Sequence, residues 1–383
     1  MTSISTVPDT APEQHFTSPF GSLTLKRYPL QKRETLRAWD AADAYLLDEL
    51  EVELDQRILI INDSFGALSC ALAPFSPTMQ SDSYISTWST RENLRANGLD
   101  EASVKMLSSL DNLEGVYDLV LVRVTKTLAL LEHELIQLKP HLNELSRVIG
   151  CGMVKQIHSS TLKLFEQIIG PTTTSLAKKK ARLIHTQPDL SLTEVSSPYP
   201  KRYRLDETPY TLINHANVFS REKLDIGTRF LMQHLPATEG EGDIVDLGCG
   251  NGVLGLMVAA QNPETNLHFI DESYMAVASA RETFSASGLK NSALFETGDC
   301  LGALSGESTD LILCNPPFHQ QQAVGDAVAW RMFSQSRKVL RSGGELWVVG
   351  NRHLNYQVKL KHLFGNVEQV AENRKFVIFR SHK

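Results

Sequence analysis

Apolar and polar positions in the first half of the chain form short blocks that predict buried strands alternating with helices. The strand patterns cover residues 57–63, 117–122 and 146–151. The helical patterns cover residues 39–50, 67–72, 83–96 and 128–138. An alternating stretch at residues 20–29 predicts an edge strand ahead of them. Strands that alternate with helices in this way predict a parallel, doubly wound sheet.

The second half of the chain repeats this plan. Its predicted strands cover residues 243–247, 266–270, 310–314 and 345–350. Its predicted helices cover residues 253–260, 274–287 and 329–340. Residues 91–99 also match residues 281–289 at five of nine positions, and Gly170 and Lys180 have the same spacing as Gly365 and Lys375. A repeat of this length indicates two tandem Rossmann-like α/β domains that arose by duplication.

The two copies differ at the places where strands end. Residues 246–252 contain three glycines, whereas residues 61–66 of the first copy keep one. Residues 315–318 read Asn-Pro-Pro-Phe, whereas residues 123–126 of the first copy read Arg-Val-Thr-Lys. We therefore expect the first copy to keep the fold and to lack the chemical site.

The expected domain organisation has four parts. It comprises a disordered lead-in at residues 1–19, a first domain at 20–185, a linker at 186–200 and a second domain at 201–383. The linker expectation rests on the prolines and serines between residues 188 and 200. The polar N-terminus lacks the pattern of a signal peptide, and no apolar run approaches the roughly 18 residues of a membrane span.

Composition narrows the class of protein. A chain of 383 residues that is 42% hydrophobic and 21% charged is typical of a soluble protein with two domains. The five cysteines are scattered and form no Cys-x-x-Cys pair, which favours a reducing compartment such as the cytoplasm over disulfides or a zinc site. A net charge of −6 means that nucleic-acid binding would require a local basic patch.

The glycine-rich turn after the strand at residues 243–247 is the first candidate site. Gly248, Gly250 and Gly252 allow a tight turn and a close approach of backbone to ligand, and the following helix adds partial positive charge. The spacing differs from a phosphate loop. Asp246 would repel phosphate and favour a cation such as the sulfonium of S-adenosylmethionine. A turn without a ligand is the alternative.

Acidic residues follow the next two strands. Asp271 is placed to accept hydrogen bonds from two ribose hydroxyls, with its neighbour Glu272 as a rival and a helix N-cap as the structural alternative. Asp299, followed by Cys300, comes after the third strand, where an adenine amino group would lie. An ordinary loop position is the alternative for Asp299.

Asn315, Pro316, Pro317 and Phe318 follow the strand at residues 310–314 and form the candidate reactive loop. The prolines stiffen the backbone and leave the Pro316 carbonyl free, while the Asn315 amide offers an acceptor. Together with the Phe318 ring, these groups would suit a planar base with an exocyclic amino group. His319 is expected in the same loop or, alternatively, facing solvent. A plain proline turn is the alternative for the whole motif.

These motifs, in this order, resemble those of class I S-adenosylmethionine-dependent N-methyltransferases. Residues 36–47 and 217–228 resemble the bacterial rRNA guanine-N2 methyltransferases, especially those of the large subunit (23S). The resemblance implies S-adenosylmethionine as cofactor, rRNA as partner, a catalytic C-terminal domain and an RNA-engaging N-terminal domain. We expect no metal, since methyl transfer needs none, and a monomer, although the sequence does not show the oligomeric state. The resemblance also implies that Phe219, Asp225 and Thr228 lie near the cofactor or the base. A structural role in an amphipathic helix is the alternative for these three.

Basic residues on both sides of the linker form a candidate RNA-binding patch, with ordinary surface charge as the alternative. They are Lys178, Lys179, Lys180, Arg182, Lys201, Arg202 and Arg204. The predicted function is methyl transfer from S-adenosylmethionine to the N2 amino group of a guanine in 23S rRNA. The alternatives are the small-subunit (16S) guanine-N2 enzyme, a protein glutamine N5-methyltransferase and a non-catalytic RNA chaperone.

Overall fold

The computed structural model of the chain describes residues 13–31, 34–237, 240, 242–317 and 323–383. The chain divides into two compact units, Met1–Ser197 and Pro198–Lys383. Each unit is an α/β domain built around a seven-stranded sheet. The predicted fold class, two tandem Rossmann-like domains, is confirmed.

The first unit begins with a hairpin and continues with alternating strands and helices. Its strands are β1 (His15–Ser18), β2 (Gly21–Thr24), β3 (Ile58–Ile61), β4 (Thr78–Ser81), β5 (Lys105–Ser108), β6 (Leu119–Arg123), β7 (Arg147–Met153), β8 (Thr172–Thr174) and β9 (Ala181–Thr186). Its α-helices are α1 (Ala41–Asp48), α2 (Ala67–Ala71), α3 (Tyr84–Ala96), α4 (Leu128–Leu138) and α5 (Ser159–Ile168).

The second unit follows the same order of elements. Its strands are β10 (Lys201–Arg204), β11 (Thr211–Asn214), β12 (Gly242–Leu247), β13 (Thr265–Asp271), β14 (Ala293–Thr297), β15 (Thr309–Cys314), β16 (Leu340–Asn351), β17 (Glu368–Glu372) and β18 (Phe376–His382). Its α-helices are α6 (Ile226–Met232), α7 (Val253–Gln261), α8 (Tyr274–Ser287), α9 (Ala323–Val339) and α10 (Tyr356–Phe364).

The two large sheets have the same strand order. It is β5-β4-β3-β6-β7-β9-β8 in the first unit and β14-β13-β12-β15-β16-β18-β17 in the second. The first five strands of each order pair in parallel, as predicted. β9 and β18, however, run antiparallel to both of their neighbours. The reason is the short connection into each of them, since a short loop can join only antiparallel strands.

The central strands are buried on both faces. Ile58 and Ile60 of β3 pack into one apolar layer of the first unit, whereas Leu59 and Ile61 pack into the layer on the other side of the sheet. Strands covered by helices on both faces read as continuous apolar runs rather than alternating ones. For this reason the sequence identified β3, β6, β12 and β15 readily, whereas the more polar β4, β5 and β14 had no such run.

A small hairpin docks on one helix of each unit. In the second unit, the Ile213 and His215 backbone N–H groups donate to the hydroxyls of Thr283 and Ser279 on α8, each over 3.0 Å. In the first unit, the Lys26 N–H donates to the Asn93 side chain on α3 over 2.9 Å. The first hairpin begins at His15, earlier than the edge strand expected at residues 20–29.

The predicted linker contains no helix or strand from residue 187 to residue 200. The first unit holds part of it, since the Asp189 N–H donates to the Ile169 carbonyl over 2.8 Å and the Lys139 ammonium donates to the Leu192 carbonyl over 2.9 Å. Among the described residues, no helix has the length and apolar character needed to cross a bilayer.

Candidate active site

The carboxyl ends of β12, β13, β14 and β15 meet along one edge of the second sheet. Leu247 lies in register with Ile270 on one side and with Cys314 on the other. The chain order of the strands reverses between β12 and β15, and open α/β sheets bind ligands at such a switch point. This edge carries the glycine turn and the residues that follow β13, β14 and β15.

The three glycines of the turn have different surroundings. Gly248, Gly250 and Gly252 all have positive φ angles, of +72°, +54° and +76°. A Cβ at Gly250 would have no atom within 4 Å, so this part of the turn borders open space. A Cβ at Gly252 would lie 2.9 Å from the Ala280 Cβ, so packing of α7 on α8 requires a glycine there.

The first unit keeps the enclosed glycine of this turn and lacks the one that borders open space. Its retained glycine, Gly66, caps α2 as Gly252 caps α7, and a Cβ there would lie 2.8 Å from the Thr90 Cα on α3. Strand register places Asn62 and Ser64 where the second unit has Gly248 and Gly250. The degenerate copy thus keeps the glycine that packing needs and lacks the other two.

Asp246 is a buried carboxyl group at the end of β12, with 1% of its surface exposed. Its Oδ2 accepts a hydrogen bond from the Gly255 N–H in the first turns of α7, over 2.9 Å. Burial raises the pKa of Asp246 to about 7, against the opposing effect of the Gly255 N–H, and the charge of Asp271 raises it further. A cation near the turn would favour the ionised form.

Asp271 connects the end of β13 to the glycine turn. Its Oδ2 accepts from the Gly250 N–H and its Oδ1 from the Ser273 N–H, each over 3.0 Å. The N-cap alternative for Asp271 is wrong, because Ser273 caps α8 by accepting from the Ala276 N–H over 3.1 Å. The rival Glu272 is exposed.

Asp299 lies in the loop after β14 and pairs with a cation that the sequence did not reveal. Its Oδ1 is 2.9 Å from Nη2 of Arg331 on α9, and it accepts from the Cys300 thiol over 3.6 Å. Burial raises the pKa of Asp299 and Arg331 opposes that rise. Burial also raises the pKa of Cys300 to about 12, so the thiol stays protonated. No pattern in the chain links α9 to this loop.

Asn315 is half-buried at the carboxyl end of β15. Its Nδ2 donates to the Thr228 hydroxyl over 2.8 Å and to Asp225 Oδ2 over 3.4 Å. Its Oδ1 is buried and has no hydrogen-bond partner among the described residues. Pro316 is buried and Pro317 is exposed, while Phe318 and His319 lie outside the described residues.

The segment at residues 219–228, which leads into α6, contributes two of its three expected site residues to this cluster. Asp225 is the N-cap of α6, and Thr228 is nearly buried in its first turn. The side chain of Phe219 is 67% exposed. The contact of Asp225 and Thr228 with Asn315 spans some ninety residues of chain, and no local signal in the sequence marks it.

A further contact missed from the sequence holds the glycine turn in place. The Asn251 amide donates to the side-chain oxygen of Asn214 at the end of β11, over 2.9 Å. Both residues are buried. Residues 251 and 214 lie in separate elements, so that only the folded hairpin brings them together.

The corresponding edge of the first unit is filled by its own side chains. By strand register Arg123 stands in the position of Asn315, and Ile60 stands in that of Asp246. The Arg123 guanidinium pairs with Asp40 over 3.0 Å and also with Asp43. Asp63, in the turn before α2, accepts from the Ser69 N–H over 2.8 Å and from the Gly66 N–H over 3.2 Å. An internal ion cluster therefore stands where the second unit has its amide.

The basic residues of the predicted RNA patch belong to both units. Lys178, Lys179 and Lys180 are exposed between β8 and β9, and the Lys178 ammonium lies 3.2 Å from a Glu49 carboxylate oxygen. Half-buried Arg182 follows on β9. Lys201, Arg202 and Arg204 lie on β10. A single RNA-binding patch stays a prediction.

In the described parts of the chain, no group of three or more His, Cys, Asp or Glu residues could hold a metal ion.

Two family models match the chain, and together they span most of it. The RLMG N-terminal domain matches residues 13–190 and the methyltransferase small domain matches residues 209–380. The ribosomal RNA large subunit methyltransferase G of Streptomyces avermitilis is 50% identical over 375 residues, which cover 96% of this chain and 98% of that protein. The protein of the same name from Pseudomonas aeruginosa is 51% identical over 372 residues, covering 96% and 99%.

The chain belongs to the ribosomal RNA large subunit methyltransferase G family. The fold has a counterpart among solved structures as well. The T. thermophilus 16S rRNA N2 G1207 methyltransferase (RsmC), solved with AdoMet and guanosine, has a TM-score of 0.77 at 22% identity. The match covers 96% of this chain and 97% of that one. The two-domain architecture of this family member is therefore shared with RsmC.

Proposed function

We propose that this protein transfers a methyl group from S-adenosylmethionine to the exocyclic N2 amino group of a guanine in 23S rRNA. The observation that carries the proposal is the buried, unpartnered Oδ1 of Asn315 at the edge that also bears the glycine turn. A buried acceptor without a donor costs about 1–3 kcal/mol. An amino group that donates to this oxygen would remove the cost, and a guanine base supplies such a group.

The residues of the turn and of the strand ends suit S-adenosylmethionine. Open space beside Gly250 leaves room for a ligand against the backbone. Asp246 and Asp271 supply negative charge that favours a sulfonium and an ammonium group. Asp271 ends β13, where acidic residues of such sheets bind ribose hydroxyls, and Asp299 would accept from the adenine amino group. Bound there, S-adenosylmethionine would supply an electrophilic methyl group: the N2–CH₃ bond forms as the S–CH₃ bond breaks, S-adenosylhomocysteine is left, and N2 then loses one proton to solvent.

The residues at the end of β15 would orient the acceptor amino group. Asn315 Oδ1 and the Pro316 carbonyl each accept one of its N–H bonds, so that the nitrogen lone pair points away from them and towards the methyl group. This arrangement accelerates the reaction by positioning and by fixed dipoles. Phe318 would stack on the base, which must first leave its helix or lie in a single strand.

The large subunit is favoured as the source of the RNA by the family relatives. Proteins about half identical to this chain over nearly its full length are named for large subunit rRNA. The basic side chains on β10 and between β8 and β9 would then contact phosphates.

Mass-spectrometric mapping of rRNA from a strain without the protein should show one methylguanine lost from 23S rRNA. Loss from 16S rRNA instead would point to the small-subunit enzyme.

The mechanism is tested by the substitution Asn315→Ala. We expect kcat for rRNA methylation to fall by about 10²–10³-fold, as for the loss of one oriented polar group in other active sites. The dissociation constant of S-adenosylmethionine, measured by calorimetry, should stay within about threefold. Asn266→Ala, on an exposed part of β13, is the matched control and should retain activity. An Asn315→Ala protein with near wild-type kcat would exclude this mechanism.

A further inference from the structure

An asparagine amide can occupy its site in two orientations, and only one of them serves the proposed reaction. The oxygen accepts hydrogen bonds and the NH₂ group donates them. The amino group of a base can donate a hydrogen bond to the amide oxygen. It cannot form a hydrogen bond with the amide NH₂ group, because both are donors. The protein therefore needs a way to prevent the amide of Asn315 from turning over.

The groups behind Asn315 accept hydrogen bonds from its NH₂ side. Asp225 Oδ2 is a carboxylate oxygen, which accepts hydrogen bonds and donates none. The Thr228 hydroxyl donates to this same Oδ2 over 3.3 Å, so its proton is directed at Asp225 and its lone pair is left for Asn315. The Asn315 Nδ2 then donates to both groups, over 2.8 Å to Thr228 and 3.4 Å to Asp225. A reversed amide would place its oxygen, which cannot donate, against these two acceptors.

Both acceptors are held rigidly by the start of α6. Asp225 Oδ2 also accepts from the Thr228 backbone N–H over 2.9 Å, which caps the helix. Between them, Gly227 is tightly enclosed, since a Cβ there would lie 3.0 Å from Asp225 Oδ2 and from the Phe376 ring. The side chains that meet Asn315 therefore cannot turn away without unwinding the helix cap.

The duplicated first unit has the same contact with different chemistry. The N-cap of α1 is Asp40 and the residue three positions later is Asp43, as Asp225 and Thr228 are in α6. There Arg123, the last residue of β6, takes the position of Asn315, and it binds both acids. A cation is met by two carboxylates, whereas the neutral amide is met by one carboxylate and one hydroxyl. In each unit the cap residues match the group that they hold.

We infer that Asp225 and Thr228 are positioning residues that hold the Asn315 amide with its oxygen facing the amino group of the base. This inference rests on the function proposed for the site. It changes the role expected for the two residues, which the resemblance had placed beside the cofactor or the base. They act through Asn315, and their loss lowers the rate of methyl transfer while leaving S-adenosylmethionine binding intact.

Thr228→Val tests this inference, because valine keeps the shape of threonine and removes the hydroxyl. We expect kcat to fall by about 10–100-fold, the scale for a misplaced reacting group, with the dissociation constant of S-adenosylmethionine within about threefold of wild type. Thr228→Ser should restore most of kcat. Thr265→Val, which removes another buried hydroxyl at the opposite, amino end of β13, controls for lost stability and should retain kcat.

A double-mutant cycle separates positioning from other roles. In an Asn315→Ala background, Thr228→Val should cause no further loss of kcat, because the group it orients is gone. An undiminished loss in that background would overturn the inference, as would a fall in cofactor affinity that matches the fall in kcat.

An NMR measurement tests the contact without any activity. In wild-type protein the side-chain NH₂ protons of Asn315 should exchange slowly with water, and in Thr228→Val they should exchange faster. Unchanged exchange would overturn the positioning role even if the enzyme is active. A wild-type protein that shows the protected amide and methylates no rRNA would instead count against the proposed function alone.

Discussion

Asp246 shows how one buried residue serves both the fold and the proposed site. Its Oδ2 accepts the Gly255 N–H and so ties the start of α7 to the end of β12. In the first unit, Asp63 in the turn accepts the Ser69 N–H at the start of α2, while Ile60 replaces the acid on the strand. A carboxylate on the strand is therefore not needed to hold the start of the helix, and the presence of Asp246 there supports a cationic ligand.

The pKa of Asp246 predicts how cofactor binding depends on pH. Burial raises this pKa to about 7, so the carboxyl group is mostly neutral below pH 7 and mostly ionised above it. Because the ionised form attracts a cation, the affinity for S-adenosylmethionine should rise between pH 6 and pH 8, by up to about tenfold.

Asp246→Asn is the variant that isolates this effect in calorimetry. The titration of the ligand is common to both proteins, so the ratio of the two dissociation constants reports Asp246 alone. That ratio should grow with pH and level off above pH 8. A ratio that stays constant from pH 6 to pH 8 would show that Asp246 does not govern binding.

At the scale of elements, the turn between β12 and α7 contains one glycine that helix packing requires and one that borders the proposed cofactor site. Gly252 is enclosed by α8 and Gly250 borders open space. The first unit keeps the enclosed glycine as Gly66 between α2 and α3 and replaces the open one by Ser64. Helix packing has thus preserved one glycine in both copies, while the other persists only where the proposed cofactor would lie.

Two glycine substitutions should therefore differ in how much they lower stability relative to how much they weaken cofactor binding. Gly252→Ala should lower the free energy of unfolding by about 2–4 kcal/mol, because its Cβ overlaps α8 in a backbone region unfavourable for alanine. Gly250→Ala should cost only about 1–2 kcal/mol of stability, since it adds strain but no clash. It should weaken S-adenosylmethionine binding at least as much as Gly252→Ala does.

Urea unfolding and calorimetry would measure the two effects separately. Gly66→Ala is the matched control for Gly252→Ala, because its Cβ would meet α3 in the same way without touching the proposed site. It should destabilise the first unit and leave cofactor affinity unchanged. Equal stability losses at Gly250 and Gly252 would contradict the distinction.

At the scale of the whole molecule, each unit carries its own apolar layers on both faces of its sheet. The first unit, which lacks the proposed chemical site, buries several ionisable groups. Besides the Arg123 cluster it buries Glu134 on α4, whose Oε2 accepts from the Asn62 amide over 2.8 Å. Burial raises the pKa of Glu134 to about 8, against the opposing effect of Asn62.

The stability of the first unit should accordingly fall as pH rises. In the folded unit Glu134 holds its proton up to about pH 8, whereas in the unfolded chain it loses it near pH 4.5. The folded state therefore binds more protons between these values, and the free energy of unfolding declines across that window and is level above it. The decline should be roughly 2–4 kcal/mol.

Glu134→Gln should make this decline shallower, because glutamine keeps the acceptor for Asn62 and cannot ionise; buried Asp43 and Asp63, whose pKa values are also raised, account for the decline that remains. Thermal unfolding from pH 5 to pH 9 would show the variant more stable than wild type, with the largest difference at and above pH 8. Glu166→Gln, at an exposed position of α5, removes the same charge and should keep the wild-type slope. A Glu134→Gln protein with that slope would show that other groups set the pH dependence.

The sequence by itself determined the features that depend on local patterns. Apolar runs revealed the strands that are buried on both faces, and helical periodicity placed α8 at its observed bounds. The match of residues 91–99 with residues 281–289 revealed the duplication. Glycines and prolines marked the turn at residues 246–252 and the loop after β15, because these residue types act on their own backbone.

Only the tertiary structure decided which side chains meet. The pairing of Asn315 with Thr228, and that of Asp299 with Arg331, joins residues whose spacing follows no helical or strand period. The antiparallel course of β9 and β18 and the capping of α8 by Ser273 rather than Asp271 were likewise beyond local patterns. A hydrogen bond between distant segments depends on the path of the whole chain. The sequence therefore placed Asn315 at the end of its strand, while the fold set the direction of its amide.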